Sequence, residues 1–155
     1  MKHLLVAVDQ SECANRALQF ALSLAKAEGL KLSVCSVADP SPVYGTIEPV
    51  TIVEKTLEEI DRSAHHAVDA AVARASAAGV EAGAEVLEGD PAREIVLHAG
   101  KIGADAIVLG THGRTGLRRL LMGSVAEGVL RKAEVPVITV RDAARIEDPT
   151  PEAVC

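Results

Sequence analysis

Five short segments rich in apolar residues alternate along the chain with longer stretches in which apolar residues recur every three or four positions. The short segments are residues 4–8, 32–38, 80–88, 105–109 and 135–140. The first of them is wholly apolar, which is typical of a central parallel strand covered on both faces, and the longer periodicity is typical of amphipathic helices. The alternation therefore predicts a βαβαβαβαβ chain. It indicates an α/β fold with a doubly wound parallel sheet and helices on both faces.

Polar caps and glycines mark the ends of the predicted helices. Ser11 precedes the first helix and Gly29 follows it. Asp90-Pro91 supplies a cap and an N1 proline for the third helix, and Ser124 is expected to cap the last one. These signals place the helix starts directly after predicted strands.

Two elements carry more specific patterns. The second helix, residues 50–78, has an apolar stripe formed by Val53, Leu57, Ile60, Ala64, Ala67, Val68, Ala71 and Ala75. The third strand alternates, with Ala82, Ala84 and Val86 on one side and Glu81, Gly83 and Glu85 on the other. Alternation predicts a half-exposed strand at the edge of the sheet.

Length and composition indicate a single domain with a core of small aliphatic side chains. The chain has 155 residues, of which 48% are hydrophobic and only 1% aromatic. A chain of this size buries a substantial core without disulfides. We expect residues 1–141 to form the domain and residues 142–155, which are polar and contain Pro149 and Pro151, to form a flexible tail.

Charge and cysteine content exclude several classes of function. A net charge of −6 argues against a general nucleic-acid binder, which would carry a basic surface. Cys13, Cys35 and Cys155 show no CxxC spacing, which argues for a reducing compartment. No apolar run reaches membrane-spanning length, and the first is too short for a signal peptide. We therefore expect a cytoplasmic protein with neither nucleic acid nor membrane as partner.

The segment after the fourth strand carries the most informative pattern. Gly110, Gly113, Gly123 and Ser124 are spaced as glycine, two residues, glycine, nine residues and glycine-serine, between a strand and a helix. Glycines let the backbone approach a phosphate, and the free N–H groups of a helix start bind anions. The lysine of a P-loop is missing, so the pattern indicates an anion site of another kind. Gly113 also has a simpler interpretation as a turn glycine.

The carboxyl ends of the strands are the expected ligand-binding edge. Asp9, Val37-Ala38 and Gly110 occupy such ends. If the first and fourth strands are neighbours, Asp9 faces the glycine segment, where its carboxylate would accept hydrogen bonds from ribose hydroxyls or hold a metal beside phosphates. The alternative is that Asp9 only helps to cap the first helix. Local positive charge comes from Arg114, Arg118 and Arg119, of which we expect one to contact the ligand.

Together these patterns resemble the universal stress protein family. The resemblance rests on Val6-Ala7-Val8-Asp9 followed by Ser11, on the glycine pattern, and on residues 135–140, and it spans residues 2–141. It implies a five-stranded sheet of order 3-2-1-4-5. In members that carry this glycine pattern it also implies binding of ATP, with or without a magnesium ion.

The resemblance further implies a role for each site residue. Asp9 would contact the ribose region, and Val37 would meet the adenine through its backbone. Ala7 and Leu109 would wall the adenine and ribose. The phosphates would lie against Gly110, Gly113, Arg114, Gly123, Ser124 and Val125.

A homodimer through the fifth strand is also implied, with Val135, Val137, Ile138 and Val140 at the interface. This expectation is physically reasonable, because an exposed apolar edge strand readily pairs with another chain. Pro136 lies at the start of the strand, where its missing N–H does least harm. The alternative is that the C-terminal tail covers this edge within the monomer.

The function that these observations favour is an ATP-binding, dimeric regulator of a stress response. No nucleophile can be paired with a base in the sequence, so ATP hydrolysis, if any, is expected to be slow. A nucleotide-dependent enzyme on a related fold ranks lower, because the chain has neither an SGGxDS-like loop nor an HxGH motif. A dimeric scaffold that binds no nucleotide is the other alternative, and the intact glycine pattern argues against it.

Overall fold

A computed structural model of the protein describes residues 1–112 and 122–141. Its elements follow in the predicted order. They are β1 (His3–Ala7), α1 (Glu12–Glu28), β2 (Lys31–Ala38), a 3₁₀ turn (Ser41–Val43), α2 (Val50–Ala77), β3 (Ala82–Glu88), α3 (Pro91–Ile102), β4 (Ala106–Gly110), α4 (Ser124–Lys132) and β5 (Val137–Val140). The tail at residues 142–155 lies outside the described residues.

The five strands form one parallel sheet of order β3-β2-β1-β4-β5, which confirms the predicted topology. The strands are added outward from β1 to β3, after which the direction reverses and β4 and β5 are added on the other side of β1. As a result α1 and α2 cover one face of the sheet, and α3 and α4 cover the other. The reversal leaves β1 and β4 as neighbours. In open α/β sheets a crevice forms at this switch point, beyond the carboxyl ends of the two strands.

Small aliphatic side chains build the core on both faces of the sheet. On the central strand, Leu4, Leu5 and Val6 are fully buried. The helix faces against them consist mainly of alanine, as in the buried residues Ala17, Ala21 and Ala25 of α1. Both aromatic residues lie largely outside the core, with Phe20 42% and Tyr44 72% exposed. The alanine-rich faces allow the helices to lie close to the sheet.

The predicted caps of α1 and α3 are confirmed. Ser11 accepts a hydrogen bond from the Ala14 N–H, and Asp90 accepts one from the Arg93 N–H, with a proline at the start of α3. Gly29 ends α1 in the left-handed conformation that glycine tolerates.

Two strands differ from the prediction in detail. β3 is an edge strand as expected, but the predicted alternation of buried and exposed residues along it is wrong. Ala84 is exposed and Glu85 is half-buried. The Glu85 side chain points toward α3, where its carboxylate lies 3.6 Å from His98 Nδ1 and 3.2 Å from Lys101 Nζ. β5 begins at Val137, two residues after the predicted start at Val135. The preceding proline contributes only its carbonyl to the ladder, since it has no N–H.

Candidate functional site

A cavity of about 330 Å³ opens at the carboxyl edge of the sheet, where β1 and β4 diverge. Its volume lies at the lower end of the range for small-molecule sites. The described residues that line it are Ala7, Val8, Asp9, Ala14, Ser36, Val37, Asp39, Ile60, Ser63, Ala64, Pro91, Ile95, Leu109, Gly110, Thr111, His112, Gly123, Ser124, Val125 and Ala126. Strand ends, loops and four helices thus contribute to one site.

Eight of the ten predicted nucleotide-binding residues line this cavity. They are Ala7, Asp9, Val37, Leu109, Gly110, Gly123, Ser124 and Val125. The other two, Gly113 and Arg114, lie outside the described residues, as do Arg118 and Arg119. The contact that each residue makes with a ligand remains a prediction.

Asp9 serves the first helix and faces the cavity at the same time. Its Oδ1 accepts a hydrogen bond at 3.0 Å from the N–H of Ser11, which is itself the N-cap residue of α1. Its second carboxylate oxygen makes no hydrogen bond within the described part of the chain and is available to a ligand. Asp39, which follows β2, has the same arrangement: its Oδ1 accepts from the Ser41 N–H at 2.9 Å. No motif in the sequence marks Asp39 as a site residue.

Gln10 ties the loop after β1 to α2. Its backbone has a φ of 67°, a left-handed conformation that few residues other than glycine adopt. This turn lets Gln10 Nε2 donate to the Ser63 carbonyl at 2.8 Å, and it lies 3.1 Å from Ser63 Oγ. Ser63 and Ile60 form the α2 wall of the cavity. No sequence signal marks this contact, because it depends on how α2 crosses the sheet.

Gly110 is required by packing, whatever it contributes to a ligand. A Cβ at this position would lie 2.7 Å from the Cβ of Cys13, 2.8 Å from its carbonyl carbon and 2.9 Å from the Ala14 nitrogen. All three atoms belong to the first turn of α1 and cannot move by side-chain rotation. The first glycine of the motif thus lets α1 lie directly against the end of β4.

Thr111 and His112 join the end of β4 to its neighbours. Thr111 is buried, and its N–H donates to the Val140 carbonyl at 2.9 Å, while its own carbonyl accepts from the Gly123 N–H at 2.7 Å. Thr111 Oγ1 lies 3.0 Å from His112 Nδ1. His112 Nε2 is buried without a hydrogen-bond partner among the described residues.

The start of α4 corrects the cap prediction. Gly123 is the N-cap and Ser124 is the first helical residue, with the Gly123 carbonyl accepting from the Glu127 N–H at 3.0 Å. Gly123 has extended backbone angles and no side chain, so no side chain caps this helix in the described structure. α1 and α3 also start at the cavity, but Ser11 and Asp90 each occupy one of the free N–H groups there. The α4 start is therefore the one best suited to an anion.

The described lining is polarised across the cavity. Two carboxylates, Asp9 and Asp39, follow β1 and β2, whereas the uncapped helix start follows β4. The described lining contains no lysine or arginine. No group of three or more His, Cys, Asp or Glu side chains within the described ranges is placed to hold a metal ion by protein ligands alone. The arrangement suits a ligand with hydroxyl or amino donors at one end and an anion at the other.

Shifted pKa values occur away from the cavity. Burial lowers the pKa of His3, whose Nε2 lies 2.9 Å from Ser33 Oγ at the amino edge of the sheet. Hydrogen bonds from the backbone N–H groups of Lys2 and His3 lower the pKa of Asp105. In the middle of the sheet, burial raises the pKa of the Cys35 thiol to about 12. None of the three residues lines the cavity.

Comparison with known proteins agrees with the fold. The model of the "Universal stress protein family" matches residues 1–141. Universal stress protein MJ0531 of Methanocaldococcus jannaschii is 36% identical over 140 residues, which cover 90% of this chain and 82% of that protein. Universal stress protein YxiE of Bacillus subtilis is 31% identical over 144 residues, covering 89% and 97%. No helix in the described ranges is long and apolar enough to cross a membrane.

Solved structures extend the likeness to the whole domain. Protein MJ0577 of Methanocaldococcus jannaschii superposes with a TM-score of 0.76 at 25% identity, covering 92% of this chain and 97% of that one. A universal stress protein in complex with cAMP has a TM-score of 0.67 at 25% identity, covering 90% and 96%. The universal stress protein of Archaeoglobus fulgidus in complex with dAMP has a TM-score of 0.61 at 29% identity, covering 90% and 97%.

Proposed function

The chain belongs to the universal stress protein family, and from this premise we propose that the cavity binds ATP or a related adenine nucleotide. The single observation that carries the proposal is the convergence of eight predicted residues on a cavity whose α4 helix start has no side-chain cap. Two similar structures hold cAMP and dAMP, both of which are adenine nucleotides with a phosphate.

In the proposed orientation the phosphates lie at the start of α4, against Gly123 and Ser124, and the base lies near Val37. The two carboxylates at one side of the cavity and the uncapped start of α4 at the other support this orientation. Neighbouring strands lie about 4.8 Å apart, so the ends of β2 and β4 are separated by roughly 10 Å, a distance that a nucleoside spans. Asp9, between them, would accept hydrogen bonds from the ribose hydroxyls. His112 Nε2, buried without a partner among the described residues, would gain one in the ligand.

The residues present are compatible with a magnesium ion carried by the nucleotide. Magnesium in nucleotide sites is commonly held by one or two carboxylates together with phosphates and water. The free oxygen of Asp9 is such a carboxylate, and the ion would neutralise part of the phosphate charge beside it. The protein's own contribution is to bind and orient the nucleotide, and hydrolysis is at most slow in this proposal.

The proposal extends to a homodimer formed through β5 and to a regulatory role in the cytoplasm. All four residues of β5 are half-buried, and β5 pairs only with β4 within residues 1–112 and 122–141. Ile138 and Val140 pack toward α1, whereas Val135 and Val137 pack toward α3 and α4. The free groups are therefore mainly those of the strand's outer backbone, which would pair with a second copy.

The decisive experiment measures nucleotide binding by wild type and Gly123→Val with isothermal titration calorimetry. A valine at the N-cap of α4 would fill the space that the phosphates need, and we expect ATP binding to be lost. The matched control is Gly100→Val on the exposed side of α3, where a Cβ has no atom within 4 Å. Circular dichroism establishes that both variants are folded.

Normal ATP binding by Gly123→Val would show that the phosphate assignment is wrong. Wild-type protein that retains no nucleotide on purification, and that shows no thermal shift with ATP, would favour the alternative of a dimeric scaffold without nucleotide.

A further inference from the structure

Helix α2 is much longer than the sheet that it covers. Its 28 residues span about 42 Å, whereas the eight residues of β2 span about 26 Å. The helix starts at the carboxyl edge of the sheet and runs back to the amino edge. Its buried residues begin only at Ala64, and Ile60 lines the cavity. The preceding turns, with the loop before them, therefore project beyond the cavity; we call residues 44–59 the α2 extension.

The α2 extension concentrates exposed apolar side chains. Five of the ten large hydrophobic residues exposed in the described structure lie in it: Tyr44, Ile47, Val50, Ile52 and Leu57. Ile47 and Val50 are 103% and 71% exposed. Single exposed apolar residues are normal, but clusters of them on a monomer mark interaction sites.

Two of these exposed residues, Val50 and Leu57, belong to a heptad pattern. Val50, Val53, Leu57, Ile60 and Ala64 follow one another at spacings of three, four, three and four residues. Spacing of this kind places side chains along one seam of a helix and is the pattern by which two helices pair. After Ile60 in the chain the seam is covered by the sheet, whereas Val50 and Leu57, which precede Ile60, are exposed. The free part of the seam is thus suited to a second helix.

The charge around the seam decides what kind of helix fits. The α2 extension carries the exposed carboxylates Glu48, Glu54, Glu58 and Glu59 against one basic residue, Lys55. No ion pair with a described residue occupies Glu54 or Glu58. A second copy of this surface, an anionic membrane or a nucleic acid would bring like charges together. A helix with lysine or arginine beside its apolar seam would be attracted.

We propose that the α2 extension is a docking surface for a basic amphipathic helix of a partner protein. The partner's apolar seam packs on Val50, Val53 and Leu57, and its basic side chains face Glu54, which flanks the seam. The base of the surface adjoins the cavity through Ile60 and through the Gln10–Ser63 contact. The proposal does not depend on nucleotide binding, because it rests on residues outside the phosphate end of the cavity.

The test uses fluorescence anisotropy with a labelled synthetic peptide of about 21 residues, three heptads, that has leucine at the seam positions and lysine beside them. We expect micromolar binding to the full-length protein, and we expect binding to be lost when glutamate replaces the lysines of the peptide. Val50→Ser/Leu57→Ser should weaken binding at least about tenfold. Leu97→Ser/Leu130→Ser, which changes exposed leucines of α3 and α4, is the matched control and should bind as wild type.

A second pair of variants tests the charge. Glu54→Lys/Glu58→Lys should weaken binding at least about tenfold, whereas Glu28→Lys/Glu81→Lys changes the net charge equally at distant exposed sites and should have little effect. The proposal is overturned if wild type does not bind the lysine peptide, or if test and control variants bind alike. A change of sedimentation in Val50→Ser/Leu57→Ser without peptide would also overturn it, in favour of self-association through this surface.

Discussion

Replacing Gly110 by alanine should destabilise the fold by way of one close contact. The added Cβ would lie 2.7 Å from the Cβ of Cys13 and 2.8–2.9 Å from two backbone atoms of α1. Ordinary carbon–carbon contacts are about 3.5–4.0 Å, so the overlap is roughly 1 Å. Because backbone must shift to relieve it, we expect an overpacking cost of about 1–3 kcal/mol in the free energy of unfolding.

For a domain of this size, 1 kcal/mol corresponds to roughly 2–4 °C in Tm, so Gly110→Ala should lower Tm by about 2–12 °C. The assay is thermal unfolding followed by circular dichroism, without nucleotide. Gly100→Ala is the control, because a Cβ there meets no atom within 4 Å. In the interior of a helix this change should stabilise the protein by about 0.5–1 kcal/mol.

The double variant Gly110→Ala/Cys13→Ala tests whether the close contact with the Cβ of Cys13, and not with its thiol, causes the loss of stability. Cys13→Ala removes the thiol but keeps the Cβ, so it should not rescue Gly110→Ala. A Tm of Gly110→Ala within a degree or so of wild type, or full rescue by Cys13→Ala, would refute the reasoning from this contact.

Three further outcomes concern pH, thiol reactivity and assembly. Burial lowers the pKa of His3, so its contribution to the free energy of unfolding should be complete above the unfolded-state pKa of 6.5 and should be lost as the pH falls below that value. His3→Gln keeps a polar partner for Ser33, and it should make the free energy of unfolding in urea less dependent on pH between about pH 7 and pH 5. Cys35, with a pKa of about 12, should resist a thiol-reactive disulfide reagent until the protein is unfolded, and rapid labelling of the native protein at this residue would contradict its burial. Ile138→Glu should shift the proposed dimer toward monomer in sedimentation velocity, with Leu130→Glu on α4 as the control; an unchanged dimer would place the interface away from β5.

Most of the fold could be predicted from the sequence because it depends on local patterns. Apolar runs and helical stripes identified all five strands and four helices, and caps such as Ser11 and Asp90 located helix starts. The prediction was wrong where tertiary contacts decide. Glu85 turns inward toward α3, and Ser124 gives up the cap position to Gly123, whose missing side chain leaves the helix start open.

The candidate site was predictable only on the strands and the glycine segment. Strand ends reach the same edge of the sheet by topology, so Asp9, Val37 and Gly110 could be grouped without coordinates. Ser63 and Ile60 come from α2, and their place in the cavity depends on the angle at which that helix crosses the sheet. A sequence contains no direct signal of that angle.

The three helix starts at the cavity differ in what they offer to an anion. Ser11 and Asp90 each take up one N–H group at the starts of α1 and α3, whereas no side chain within the described residues caps α4. If the proposed nucleotide binds, its phosphates would therefore meet the least obstructed helix start on the β4 side of the crevice, and the caps of the other two helices would set the direction in which it lies.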